Sequence, residues 1–134
     1  MELVAIGIVE SALDDRALAP KQGNEGAPDA WLSVAAEFAE GLDGLCVGDE
    51  IFVLTWLHQS SREVLRVHPR DDISNPERGV FGTRSPDRPN PVGLHRVRIL
   101  AVDGLRLQVR NLEALNGTPI IDIKPVIGAD ERSA

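Results

Sequence analysis

The amino-acid sequence predicts a mostly β domain, a single barrel or closed sheet of about seven short strands joined by long loops. Three observations lead there. Short runs rich in β-branched and other apolar residues recur between clusters of Gly, Pro, Asn, Asp and Ser. The chain has no strand-helix alternation and no Gly-x-Gly-x-x-Gly turn, which excludes a Rossmann-type nucleotide fold. Asp103-Gly104, set between Val102 and Leu105, is a strong two-residue hairpin signal.

Taken in order, residues 2–9 alternate and are β-branched, so they read as a strand. Residues 14–29 hold Asp14, Asp15, Pro20, Gly23, Asn24, Gly26 and Pro28, and read as a long loop. Residues 31–38 fit a strand or a helix by periodicity alone. Residues 42–45 read as a short helical turn, and 50–57 as a buried strand. Residues 59–78 are loop-rich, with a short strand at 64–67. Residues 80–83 and 93–102 read as strands, and 105–109 pairs back onto the latter through the hairpin. A last short strand covers 120–123, and the tail frays over 128–134. A chain of 134 residues supports one domain spanning 1–134 with a real core. The two loops at 10–29 and 59–78 are the natural ligand walls.

No apolar run approaches the roughly 20 residues of a membrane span. The N-terminus carries Glu2 and lacks a basic leader region, so a signal peptide is not expected and a cytoplasmic location is. The single cysteine, Cys46, excludes an internal disulfide framework and a cysteine metal cluster, and no metal is expected. The net charge is −7, but its distribution is uneven. Residues 1–61 hold 2 basic against 11 acidic side chains, while 62–98 hold 8 arginines against 5 acids. A locally basic segment in an acidic chain is either the footprint of a phosphate-bearing partner or a set of arginines paired with the chain's own acids.

Residues 79–94 read Gly-Val-Phe-Gly-Thr-Arg-Ser-Pro-Asp-Arg-Pro-Asn-Pro-Val-Gly-Leu. Pro86, Pro89 and Pro91 fix their own φ and push the preceding residues toward extended geometry, so the loop is stiff before any ligand arrives. Arg84 and Arg88 sit among these prolines, and a guanidinium offers a planar fork of donors to a carboxylate or phosphate. The plainer alternative is a surface connection whose arginines pair with Asp87 or solvent.

This run resembles the signature of the TrmO family, also called TsaA-like or YaeB-like, whose pattern is close to Gly-Val-Phe-Ala-Thr-Arg-Ser-Pro-x-Arg-Pro-Asn-Pro-Ile-Gly-Leu-Ser. Four further blocks follow the family's order. They are Ala5-Ile6-Gly7-Ile8-Val9-Glu10-Ser11, Glu40-Gly41-Leu42-Asp43-Gly44-Leu45, Trp56-Leu57-His58-Gln59 and the run Asn116-Gly117-Thr118-Pro119-Ile120-Ile121-Asp122-Ile123-Lys124-Pro125. The resemblance favours a strand for 31–38 and a β-barrel class of methyltransferase. It implies S-adenosyl-L-methionine as cofactor, tRNA as partner, and methyl transfer to N6 of the threonylcarbamoyl-adenosine beside the anticodon. It implies a cofactor contact for Arg84, with Lys21, Gln22, His58, Gln59, Leu94 and the stretch Asn111, Leu112, Glu113 as further contacts. Substrate contacts fall on Arg88, Asn90, Asn116, Thr118 and Lys124. Asn90 has the alternative of bonding its own loop. The acceptor nitrogen is poorly nucleophilic until its proton leaves, so a base is needed, and His58 and Asp122 are the candidates. Asp122 has the alternative of capping backbone N–H groups or pairing with Lys124, and His58 that of a satisfied half-buried histidine. His68 and His95 carry little weight as catalysts.

The chain departs from the family pattern at Asn116 for aspartate, His95 for serine, Val126 for an aromatic residue and Gly82 for alanine. It also ends soon after Lys124-Pro125, where longer members continue. Two alternatives therefore stand beside the tRNA enzyme: a methyltransferase of this fold acting on a small molecule, and a non-catalytic module that binds S-adenosylmethionine. A homodimer is expected, with 62–98 at or beside the interface, because one small β domain encloses little of a cofactor and a base.

Overall fold

The computed structural model describes residues 1–12 and 29–128. Eight strands are present among them: β1 (Gly7–Glu10), β2 (Ala30–Val34), β3 (Glu50–Trp56), β4 (Arg66–Val67), β5 (Arg78–Gly79), β6 (Val92–Asp103), β7 (Arg106–Val109) and β8 (Pro119–Pro125). Six close into a barrel in the order β1-β2-β7-β6-β3-β8, and β4 and β5 form a separate two-stranded ribbon. Every neighbouring pair is antiparallel. The expected β-barrel or closed sheet is thus present. No helix is long and apolar enough to cross a membrane.

Alternation along the strands decides which side chains fill the barrel. On β3, Ile51, Val53 and Thr55 point in; on β6, Gly93, His95, Val97 and Ile99 do. With Val9, Leu32, Leu107, Val109 and Ile120 they make one core, and Leu112 and Ala114 plug one end. The interior is therefore filled, and a ligand has to sit on the rim or the wall. Two bulges help the sheet close: Ile121 is the extra residue where β8 shifts against β3, and Leu100 where β6 shifts against β7. Gly7 lies so close to β2 that a Cβ there would come within 2.2 Å of the Ser33 carbonyl oxygen.

Several expected elements are shorter or different. The first strand begins at Gly7 rather than residue 2, because residues 1–5 lie exposed outside the sheet. The strand expected over 31–38 ends at Val34, and Phe38 belongs to a 3-10 turn, Ala36–Leu42. The strand expected at 80–83 is a 3-10 turn, Val80–Gly82. There the backbone N–H and the hydroxyl of Thr83 both donate to the Val80 carbonyl, which closes a turn in place of a ladder. The hairpin forms as expected, with Asp103 opposite Arg106 and Gly104 at φ 59.

Strand direction places the connections. Since all neighbours are antiparallel, β1, β3 and β7 finish at the same end of the barrel where β2, β6 and β8 begin. The three connections 11–29, 57–91 and 110–118 therefore all leave from and return to that mouth. The opposite end carries 35–49 and the two-residue hairpin.

Candidate functional site at the barrel mouth

The proline-rich loop is held to the mouth by its own backbone and by two arginines. Leu57 N–H donates to the Pro91 carbonyl at 2.8 Å, and Arg88 N–H to the Ser61 carbonyl at 3.0 Å. Asp87 accepts the Ser61 N–H at 2.9 Å. Arg62 donates to the Pro89 carbonyl at 2.7 Å and to Asn90 Oδ1 at 2.9 Å, while its guanidinium lies 5.1 Å from the Trp56 ring centre. Arg88 donates back to the carbonyls of Val80 and Thr83. Arg88 and Asn90 thus serve as struts of the loop.

Arg84, on the same loop, is exposed and makes no hydrogen bond or ion pair with the described residues. His58 and Gln59 stand at the exposed centre of a turn closed by Ser60 N–H to the Leu57 carbonyl at 2.9 Å. The aromatic ring of Phe81 is 83 % exposed. Phe81, Arg88, Pro89, Asn90 and Val92 line a groove of about 340 Å³. Lys21 and Gln22 lie outside the described residues.

The connection 110–118 forms the other side of the mouth. Asn111 takes a left-handed conformation, φ 54, which asparagine tolerates, and its N–H donates to Asp29. Asn116 accepts the Ser11 N–H at 3.0 Å, tying this connection to the end of β1. Leu112 is in the core, and Thr118 is buried with its hydroxyl donated to the Leu115 carbonyl. Glu113 remains 18 % exposed, and its Oε1 meets His95 Nδ1 at 2.5 Å. His95, 4 % exposed, reaches Thr55 Oγ1 with Nε2 at 2.7 Å.

Three residues of the sequence reading lie elsewhere. Leu94 and Asp122 flank Leu54 on the outer wall, one on β6 and one on β8, and Lys124 follows on β8. Asp122 accepts the Ile123 N–H at 2.9 Å and stands 4.0 Å from Lys124 Nζ. It lines a larger groove of about 470 Å³ at the far end of the barrel, with Phe38, Leu42, Leu45 and the carboxylates Glu37, Glu40 and Asp43. The mouth is the better candidate site, because three connections and the unspent Arg84 meet there. The far groove is lined by no cation that would hold an anionic group.

Most of the basic segment is spent internally. Arg66 pairs with Glu77 at 2.6 Å, and Arg96 and Arg98 with Glu50 at 3.0 and 3.4 Å. The Arg66 hydrogen bond holds Glu77 below the ordinary carboxylate range, and the Arg96 hydrogen bond does the same for Glu50. Among the described residues no group of three His, Cys, Asp or Glu is placed to hold a metal ion. The sequence reading passed over His95 as a polar residue of the core. The signal was its place in the inward-facing series Gly93, His95, Val97, Ile99 on a long strand.

Comparison with known proteins agrees with this arrangement. Residues 8–130 match the model of the tRNA-methyltransferase O N-terminal domain. A probable S-adenosyl-L-methionine-binding protein of Methanothermobacter thermautotrophicus is 47 % identical over 120 residues, covering 90 % of this chain and 85 % of that protein. An S-adenosyl-L-methionine-binding protein of Archaeoglobus fulgidus is 45 % identical over 124 residues, covering 92 % and 88 %. The crystal structure of TrmO from Pseudomonas aeruginosa superposes with a TM-score of 0.74 at 28 % identity, covering 95 % of this chain and 56 % of that one. A further crystal structure of TrmO gives 0.75 at 30 %, covering 95 % and 57 %. The chain thus spans little more than half the length of the solved TrmO chains.

Proposed function

Because the chain belongs to the tRNA-methyltransferase O family, we propose that it is an S-adenosylmethionine-dependent methyltransferase acting on N6 of the threonylcarbamoyl-adenosine beside the anticodon of tRNA. S-adenosylmethionine is its cofactor. The observation that carries the site is the meeting of three connections at one mouth of a filled barrel, with Arg84 unspent on the rim.

The groups present at the mouth fit this cofactor. Arg84 supplies a cation for its carboxylate, and the exposed Phe81 ring an electron-rich face for its sulfonium. Glu113 and the backbone of 111–113 supply polar partners for the nucleoside, and Gln59, Lys21 and Gln22 further contacts. When bound, the cofactor supplies an activated methyl on a sulfonium leaving group. The chain's own task is then mostly positioning. It also has to take the proton that leaves the acceptor nitrogen. Of the two candidate bases His58 stands at the mouth, with its ring exposed, and the proposal assigns the proton to it.

The proposal includes a homodimer. Leu65, Ile73, Phe81 and Leu94, four of the large exposed apolar residues, all fall within 62–98. Covering them with a second copy would wall the open groove. A second reading, a small-molecule acceptor, is favoured by the internal use of Arg62, Arg66, Arg88, Arg96 and Arg98 in a chain of net charge −7. Mass spectrometry of tRNA nucleosides from a deletion strain tests the choice. Loss of the N6-methylated nucleoside, restored by the gene, supports the tRNA acceptor. An unchanged nucleoside profile with cofactor binding intact rejects it in favour of the second reading.

A further inference from the structure

The relay Thr55–His95–Glu113 runs from the barrel interior to the mouth, and the proposed reaction leaves it without a role. An ionised Glu113 can only accept, so His95 Nδ1–H donates to Oε1 over 2.5 Å. In the neutral ring Nε2 is then a lone pair, and it accepts the Thr55 hydroxyl proton over 2.7 Å. Thr55 is fully buried and His95 nearly so, which fixes the tautomer and the ring plane from inside the core. The space is made by Gly93, where a Cβ would lie 2.5 Å from Thr55 Oγ1 and 2.7 Å from His95 Nε2. Among the described residues Glu113 Oε2 has no partner, and the carboxylate keeps its 18 % exposure at the mouth.

The geometry points to Glu113 as the acceptor for the ribose hydroxyls of the bound nucleoside, with His95 as the residue that positions it. This rests on the cofactor reading above. An acceptor whose lone pairs are aimed by a buried hydrogen bond gains most from a directional donor. A hydroxyl pair on a rigid ring is such a donor, whereas an ammonium is a compact point charge that needs no aiming. The carboxylate also sits on the connection opposite the loop that carries Arg84. The two ends of an extended nucleoside–amino acid ligand would then be held from two sides of one mouth.

Binding of S-adenosylhomocysteine and of its 2′,3′-dideoxyribose analogue, measured by calorimetry on the full chain, tests this. The wild type should prefer S-adenosylhomocysteine by about tenfold or more, and Glu113→Gln should bring the two affinities close together. His95→Leu should lose most of the same preference, and His95→Asn should recover it, because an amide N–H can replace Nδ1–H toward Glu113. A structural role for the imidazole would give no such rescue. Nitrogen NMR of His95 should show the proton on Nδ1. If the wild type binds S-adenosylhomocysteine but keeps its preference in Glu113→Gln, the hydroxyl assignment is overturned and the cofactor reading stands. If the preference follows the amino group of the ligand instead, the assignment is likewise overturned. If the wild type binds neither compound, both readings fall.

Discussion

Arg84 and Arg88 are four residues apart on one stiff loop, yet they do opposite things. Arg88 spends its fork on the Val80 and Thr83 carbonyls, because the 3-10 turn Val80–Gly82 presents those oxygens to it. Arg84 faces no such acceptor and keeps its donors. Substituting Arg84→Ala should leave the fold intact and weaken S-adenosylmethionine binding by about ten- to a hundredfold, the cost of one charge-assisted hydrogen bond. Calorimetry that finds unchanged affinity would remove Arg84 from the site. The motif marks both arginines equally. Only the positions of two carbonyls tell them apart.

At the scale of elements, the loop 80–91 is a scaffold whose order depends on guanidinium geometry. Replacement Arg88→Lys keeps the charge but cannot reach two carbonyls with a planar fork. The loop amides should then exchange with deuterium roughly ten- to thirtyfold faster, corresponding to about 1.4–2 kcal/mol of local stability. Exchange at the wild-type rate would show that the prolines alone hold the loop. In the β3–β6 ladder, Arg96 and Arg98 both reach Glu50 and lower its pKa. A depressed carboxyl contributes stability that is complete above the ordinary glutamate value of about 4.3 and is lost as pH falls through the folded value. Glu77, lowered by Arg66, acts in the same direction. Acid titration of stability should therefore fall less steeply below about pH 4.5 in Glu50→Gln than in the wild type. Identical acid limbs for the two proteins would show that the ion pair contributes nothing.

For the whole molecule, the filled barrel is the governing fact. It sends any ligand to the rim, where the groove is shallow and apolar side chains remain uncovered: Phe81 at 83 % and Leu65 at 61 % exposed, joined through the Val80 N–H to the Leu65 carbonyl. Sedimentation should give twice the 14.5 kDa chain mass, and Phe81→Asp should shift it toward one. If that variant is a monomer that still binds cofactor with full affinity, the second copy contributes nothing to the pocket. A dimer would carry twice the −7 charge, so RNA binding has to rely on local arginines within a screening length of about 10 Å, and it should weaken with salt.

The β class, the hairpin at Gly104 and the long loops were legible from residues alone, because alternation, β-branching and turn chemistry are local properties. So was the motif that carries the family. Three things needed the folded chain. The turn at Val80 depends on which carbonyl Thr83 finds. The separation of Asp122 and Lys124 from the mouth depends on strand direction around a closed sheet. The relay of Thr55, His95 and Glu113 joins positions 40 and 18 residues apart. Its members meet because β3 and β6 pair in one register and the 110–118 connection caps that end. Such contacts are set by closure of the barrel, which no local stretch of sequence encodes.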